Sequence, residues 1–275
     1  SVPHTDATVA ATLATMVDAA TTLADAAAET ANFLSIMEVE NILRQFAYEY
    51  NSLRYFEEDP IIFPRHFAEL YKKDEATLQD VEISGIVAAH LAWGRRSMIV
   101  RDCRRAFDEM NWQPADYVSK GVYRDEDISL HRTVKWCDFA AICKNLHDYY
   151  SDNESIETLS ADDIRVRIYG QKSNPKAANK KIHMFRRWMV RNDGIVDFGV
   201  WKNTDPRDLV IPLDVHVHRV ALEMGLTSRK QADFSTAREI TDKLLKIFPE
   251  DPCKGDFALF AYGVSRNAVD KKTSG

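Results

Sequence analysis

Asp214 is the residue of this chain best placed to do chemistry. It follows the apolar run Leu209-Val210-Ile211-Pro212-Leu213 and precedes Val215-His216-Val217-His218-Arg219-Val220, an amphipathic segment that ends at Gly225. Its carboxylate therefore sits at the mouth of a helix with apolar walls behind it. Three roles suit that position. It caps the helix by accepting backbone N–H groups. It binds a metal together with His216 and His218, since H-x-H is a frequent ligand spacing on strands. Or it stabilises a cation that develops in a transition state. Metal binding fits least well, because residues two apart on a helix point to different faces.

Two amines lie upstream. Lys180 and Lys181 stand 34 and 33 residues before Asp214. They belong to an acid-free stretch, Arg165 to Arg191, with nine basic residues: Arg165, Arg167, Lys172, Lys176, Lys180, Lys181, Arg186, Arg187 and Arg191. A second group comprises Arg95, Arg96, Arg101, Arg104 and Arg105, interrupted only by Asp102. Such runs read either as solvated helix faces or as a local positive field where phosphates dock.

Helical periodicity dominates the elements that must position these groups. The spacing predicts helices over 37–54, 79–92, 96–111, 136–150, 177–192, 215–224, 235–248 and 256–265. Asp59-Pro60 and Phe63-Pro64 break the chain after the first helix, and Ser160 to Asp163 starts a short one. Ser235 and Asp251-Pro252 bracket the helix at 235–248. Asn192 to Pro212 reads as irregular, with Gly194, Gly199 and Pro206. The fold class is mainly α.

Composition narrows the function classes. The chain has 275 residues, 45% of them hydrophobic, enough for a substantial core. No run approaches the ~20 uninterrupted apolar residues of a membrane span. Cys103, Cys137, Cys143 and Cys253 are scattered, with no C-x-x-C pair, and read as reduced thiols of an intracellular, cytoplasmic protein. Residues 1–36 are rich in Ala and Thr, carry Asp6, Asp18, Asp25 and Glu29, and have no Lys or Arg. They fit neither a secretory signal nor a transit peptide and read as an extension ahead of Met37. Without their four acids the net charge changes from −6 to −2.

The segment Pro212-Leu213-Asp214-Val215-His216-Val217-x-Arg219-Val220, followed by Met224-Gly225-Leu226, resembles the P-V-D-T-H-V-x-R-V…L-G-L segment of the helix-hairpin-helix base-excision DNA glycosylases. More widely, 37–267 looks like an uncharacterised bacterial family related to that superfamily. Glu58-Asp59-Pro60-Ile61, Ala92-Trp93-Gly94-Arg95-Arg96 and Phe185-Arg186-Arg187-Trp188-Met189-Val190-Arg191 carry this wider likeness. The resemblance implies a two-lobed helical domain over 37–275 with a central cleft, acting on DNA that holds a damaged or modified base. It implies Asp214 as the catalytic acid, and Lys180 or Lys181 as the amine of an associated lyase activity. Lys180 is favoured by its position relative to Phe185–Met189. The long gap to Asp214 is similar to that of the archaeal 8-oxoguanine glycosylase branch, with 192–211 as the insertion.

One departure from the superfamily pattern concerns the hairpin. The family's L-P-G-V-G-x-K-T-A brings backbone N–H groups to a DNA phosphate, but here the stretch is Tyr169-Gly170-Gln171-Lys172-Ser173-Asn174-Pro175-Lys176-Ala177-Ala178-Asn179. A clamp would have to be rebuilt from Lys172, Ser173, Asn174 and Lys176. Arg186, Arg187, Arg191, Arg95 and Arg96 are the further phosphate candidates. A base leaving the stack needs an aromatic pocket, for which Trp188, Trp201, Phe198 and Trp93 are candidates, with Asp197 beside them. No iron–sulfur cluster or other cofactor is expected. Two alternatives stand: a non-catalytic nucleic-acid-binding relative, and a metal-dependent hydrolase using Asp214, His216 and His218.

Overall fold

A computed structural model describes residues 36–273, with side chains to residue 264. The Ala/Thr-rich segment expected over 1–36 lies, except for Ile36, outside the described residues. The chain is mainly helical, as the periodicity predicts. Helix α1 occupies 36–50, and a 3-10 turn follows at Leu53–Tyr55. Then come α2 (Ile62–Tyr71), α3 (Leu78–Leu91), α4 (Arg96–Glu109) and α5 (Pro114–Ser119). A two-stranded antiparallel hairpin, β1 (Ser129–His131) with β2 (Val134–Lys135), leads into α6 (Trp136–Tyr150). The short α7 (Ala161–Asp163) runs into a π-helical turn, Ile164–Ile168. The rest is α8 (Lys180–Val190), a 3-10 turn at Pro206–Asp208, α9 (Val215–Glu223), α10 (Phe234–Ile247) and α11 (Cys253–Thr273).

Helix α3 is the axis of the packing. Thr77 and Asp80 form a reciprocal capping box at its start. Its residues are buried on every side from Val81 to Ala89, so it is a core helix rather than an amphipathic surface one. Its polar member Glu82 accepts hydrogen bonds from Tyr150 Oη and Trp201 Nε1, each at 2.7 Å, from the Ser155 hydroxyl, and from the Ile156 N–H at 3.2 Å. Four donors offset the cost of burying that carboxylate. Gly85 lets α8 approach, since a Cβ there would lie 2.7 Å from the Phe185 ring.

Two expectations change. Helix α2 spans a region read as broken, because Pro64 falls in the first turn, where a missing N–H leaves no intrahelical bond unmade. Helix α10 is capped by Asp233, which accepts the Thr236 N–H, rather than starting at Ser235.

The irregular segment after α8 has a defined job. Gly199 N–H donates to Trp188 O at 3.1 Å and Trp201 N–H to Met189 O at 2.9 Å, so the segment folds back and satisfies carbonyls at the end of α8. Gly199 has φ +47°, and a Cβ there would lie 2.8 Å from Arg191 O. Only glycine fits so tight a return.

Candidate active site

Asp214 is the N-cap of α9. Its backbone is extended (φ −121°), and its Oδ1 accepts the N–H groups of His216 at 2.9 Å and Val217 at 2.8 Å. That leaves Oδ2 to turn outward, where Lys180 Nζ lies 2.8 Å away. Burial pushes the Asp214 carboxyl up, but the Lys180 ammonium and the two amides outweigh it and hold the group below the usual carboxylate range. The pair is partly open, with side-chain exposures of 42% for Lys180 and 21% for Asp214.

Lys180 and Lys181 are the first two residues of α8. Two cations at that end oppose the helix dipole, and the Asp214 carboxylate offsets them. Lys181 points elsewhere: its Nζ donates to His90 O at 2.7 Å and stands 5.4 Å from the centre of the Trp93 ring. Burial, with the neighbouring Lys180 charge, lowers its pKa to about 8. The two amines thus differ, one paired with a carboxylate and the other partly desolvated. His90 stacks on Tyr169, 5.0 Å between ring centres, and burial lowers its pKa to about 4.

The face of α8 that begins at Lys180 continues through Arg187 and Arg191. Arg187 Nη1 meets Asp256 Oδ2 at 2.7 Å, and its Nε lies 3.3 Å from Asp197 Oδ2. Arg191 Nε meets Asp251 Oδ2 at 2.7 Å, and its Nη1 contacts Asp197 and also Asp193. Neither arginine is free to meet a phosphate, since they are 7% and 1% exposed. Their acids come from 193 and 197, just beyond the acid-free stretch, and from 251 and 256, some 60 to 70 residues on, so the end of that stretch is neutralised from outside it. Asp256 in turn lies close enough to Asp214 and Lys180 to respond to both charges.

The remaining phosphate candidates divide. Lys172, Lys176, Arg95 and Arg96 are exposed, and Arg96 Nη1 donates to Tyr55 O at 3.1 Å. Arg186 is half-buried and donates to Leu159 O at 2.6 Å. Ser173 donates its hydroxyl, and Asn174 its N–H at 2.8 Å, to Asp162. A carboxylate of the chain thus occupies two donors expected to hold phosphate.

The expected aromatic pocket is mostly core. Trp188 is fully buried, Phe198 is 4% exposed, and Trp201 is 3% exposed and bonded to Glu82. Asp197 is sealed between the two arginines. Trp93 alone of these five is half-buried; the Arg132 guanidinium lies 4.4 Å from its ring centre. His131 fixes its loop, with Nε2 2.8 Å from Trp93 O and Nδ1 2.8 Å from Asp102 Oδ2.

His216 and His218 diverge as their helical spacing requires. His218 Nε2 bonds to Arg229 O at 2.7 Å, while His216 is exposed. Among the described residues no group of three or more His, Cys, Asp or Glu is arranged to hold a metal. A pocket of about 230 Å³ opens between α9 and α11, lined by His216, Arg219, Val220, Leu259 and Phe260 among others. Asp214 and Lys180 are not part of its lining.

A model of a protein family of unknown function, DUF2400, matches residues 59–174 and 164–265. The chain belongs to the DUF2400 family. No curated protein and no solved structure matches it. The span matched to DUF2400 contains Asp59, Lys180, Asp214 and Asp256. Among the described residues of this DUF2400 chain, no helix is long and apolar enough to cross a membrane.

Sequence reasoning missed Asp59, a half-buried carboxyl on the loop before α2. It entered only as part of an Asp-Pro helix break and of the Glu58-Asp59-Pro60-Ile61 likeness, with no site role. The pairing of Asp256 with Arg187 had no local sign either, since 69 residues separate the two.

Proposed function

We propose that this protein is a DNA glycosylase with an associated lyase activity, removing a damaged or modified base. The observation that carries the reading is the 2.8 Å contact between Lys180 Nζ and Asp214 Oδ2 at the N-cap of α9. Breaking an N-glycosidic bond builds positive charge on the sugar. A carboxylate fixed by two amides and held ionised stabilises that charge without reorganising. A lysine amine beside it attacks C1′ once it has lost its proton, giving a Schiff base that permits strand cleavage by β-elimination. We assign the attack to Lys180, with Lys181 as the second amine. Trp93, flanked by Arg132, is the surface on which an extruded base would stack. Arg95, Arg96, Lys172 and Lys176 would contact phosphates.

Borohydride trapping on duplex DNA containing 8-oxoguanine or an abasic site tests the reading. A covalent adduct that Lys180→Ala abolishes supports it. Absence of any adduct removes the lyase step, and absence of base release as well removes the glycosylase.

A second reading, a non-catalytic nucleic-acid-binding relative, draws on the hairpin, where Asp162 occupies the Ser173 and Asn174 donors. It predicts salt-sensitive binding that Asp214→Asn leaves intact, with no base released.

A further inference from the structure

The loop between the π-helical turn and α8 holds two hydrogen-bond donors against a carboxylate of the chain itself. Asn174 donates its N–H to Asp162 Oδ1 at 2.8 Å, and the Ser173 hydroxyl donates to Oδ2. Each oxygen thus takes one donor, and these two bonds hold the carboxyl below the ordinary aspartate range. Lys172 and Lys176 flank the donors in sequence. Both are exposed, and neither pairs with a carboxylate among the described residues. A hydroxyl, a backbone N–H and two ammonium groups on one short loop suit an anion with several oxygens.

The local fold is held by other groups. The start of α7 is capped by Ser160 and Asp163, which bond reciprocally, so the cap does not use Asp162. The loop is braced at both ends without it. Arg165 donates Nε to Lys172 O at 2.8 Å and Nη1 to Asn179 Oδ1 at 3.1 Å, and its carbonyl accepts the Gln171 N–H at 3.0 Å. At the far end Lys176 O accepts the Phe234 N–H, from the start of α10, at 2.9 Å. The hydrogen bonds of Asp162 go to the two donors between those braces.

We propose that Asp162 is an internal stand-in for a DNA phosphate: it occupies the Ser173 and Asn174 donors in the free protein, and a backbone phosphate seated beside Lys172 and Lys176 displaces it. The inference rests on the nucleic-acid binding that both readings above share, and deepens it. Two hydrogen bonds pass from carboxylate to phosphate, and no proton moves. The released carboxylate, already half-exposed, turns to water. Asp162 is therefore a brake, since the apparent affinity is lowered by the fraction of molecules whose donors are unoccupied.

Fluorescence anisotropy with a labelled DNA duplex, on the full chain at physiological salt, tests this. Asp162→Ala frees both donors. Asp162→Asn removes the charge but keeps an oxygen that accepts from them. We expect Asp162→Ala to tighten binding about 10-fold, the effect of one recovered hydrogen bond to a charged group. Asp162→Asn should gain no more than about threefold, because a lone exposed charge is screened. Adding Ser173→Ala to Asp162→Ala should remove most of the gain. Binding by Asp162→Ala equal to or weaker than wild type overturns the inference. So does a gain that Asp162→Asn matches, which marks plain removal of charge, or one that survives Ser173→Ala. An Asp162→Ala protein that melts well below wild type overturns it as well, because the carboxylate is then a staple of the loop. Failure of wild type and Asp162→Ala alike to bind overturns the nucleic-acid readings themselves, and the inference with them.

Discussion

Arg187 lies two turns along α8 from Lys180 on the same face, and each meets a carboxylate at 2.7–2.8 Å, Asp256 for the arginine and Asp214 for the lysine. The geometry is alike but the surroundings differ. The Arg187 pair is sealed in the core, whereas Lys180 is 42% exposed. A buried charge that loses its partner has no water to replace it, while a half-exposed one does.

Arg187→Met should therefore destabilise by about 3–5 kcal/mol, because it strands Asp256 and leaves Asp197 to Arg191 alone. Lys180→Met should change stability by only ~0–1 kcal/mol while abolishing trapping on abasic DNA. Urea melts of the two variants beside a trapping assay separate the roles. A Lys180→Met protein that unfolds like Arg187→Met would mark its ion pair as structural.

Asp214→Asn separates capping from catalysis at a single residue. Asparagine caps a helix about as well as aspartate, so unfolding at pH 7 should shift by no more than ~1 kcal/mol, while base release is lost. The Asp214 carboxyl is held low, so its stabilisation is present above the unfolded value near 3.8 and is lost as pH falls through the lower folded value. Acid titration of stability should thus show one fewer stabilising carboxylate in Asp214→Asn below pH 4.

Lys181 predicts a change at the alkaline end. Its folded pKa of about 8 lies below the ordinary 10.5. The unfolded chain therefore binds the extra proton between those values, and stability gains with rising pH across that window. The penalty of burying the ammonium is fully present below pH 8. Wild type should gain about 1–3 kcal/mol relative to Lys181→Met between pH 7 and pH 10.5, read from melts at the two pH values. A constant difference would place the Lys181 amine in water.

Gly85→Ala tests the contact that fixes α8 against α3. The new methyl would meet the Phe185 ring at 2.7–2.8 Å in the core. Overpacking of this kind costs about 1–3 kcal/mol. A melting temperature unchanged or raised would mean that Phe185 has room to withdraw.

Local pattern made most helices legible, and it made the Asp214 cap legible too. Lys180 was readable as its partner only through a resemblance, because nothing near position 180 points to 214. Long-range charge was not readable. The run 165–191 looks like a phosphate-binding surface until Asp197, Asp251 and Asp256 arrive from elsewhere and cover Arg187 and Arg191. The aromatic candidates failed for a similar reason. Trp188, Trp201 and Phe198 carry the same residue types whether they line a pocket or fill a core, and only the tertiary packing separates the two.

The arginines of α8 also constrain the order in which this chain can become compact. Arg191 is 1% exposed, and one of its carboxylates, Asp251, lies 60 residues further along the chain. Arg187 depends likewise on Asp256, in the first turn of α11. Until that stretch docks, closing the core over α8 would strand two guanidinium groups away from water with part of their counter-charge missing. Collapse of the middle of the chain and arrival of its end are therefore tied into one cooperative event. A nascent chain lacking its last helix should hold α8 open to solvent rather than settle into a trimmed version of the native core.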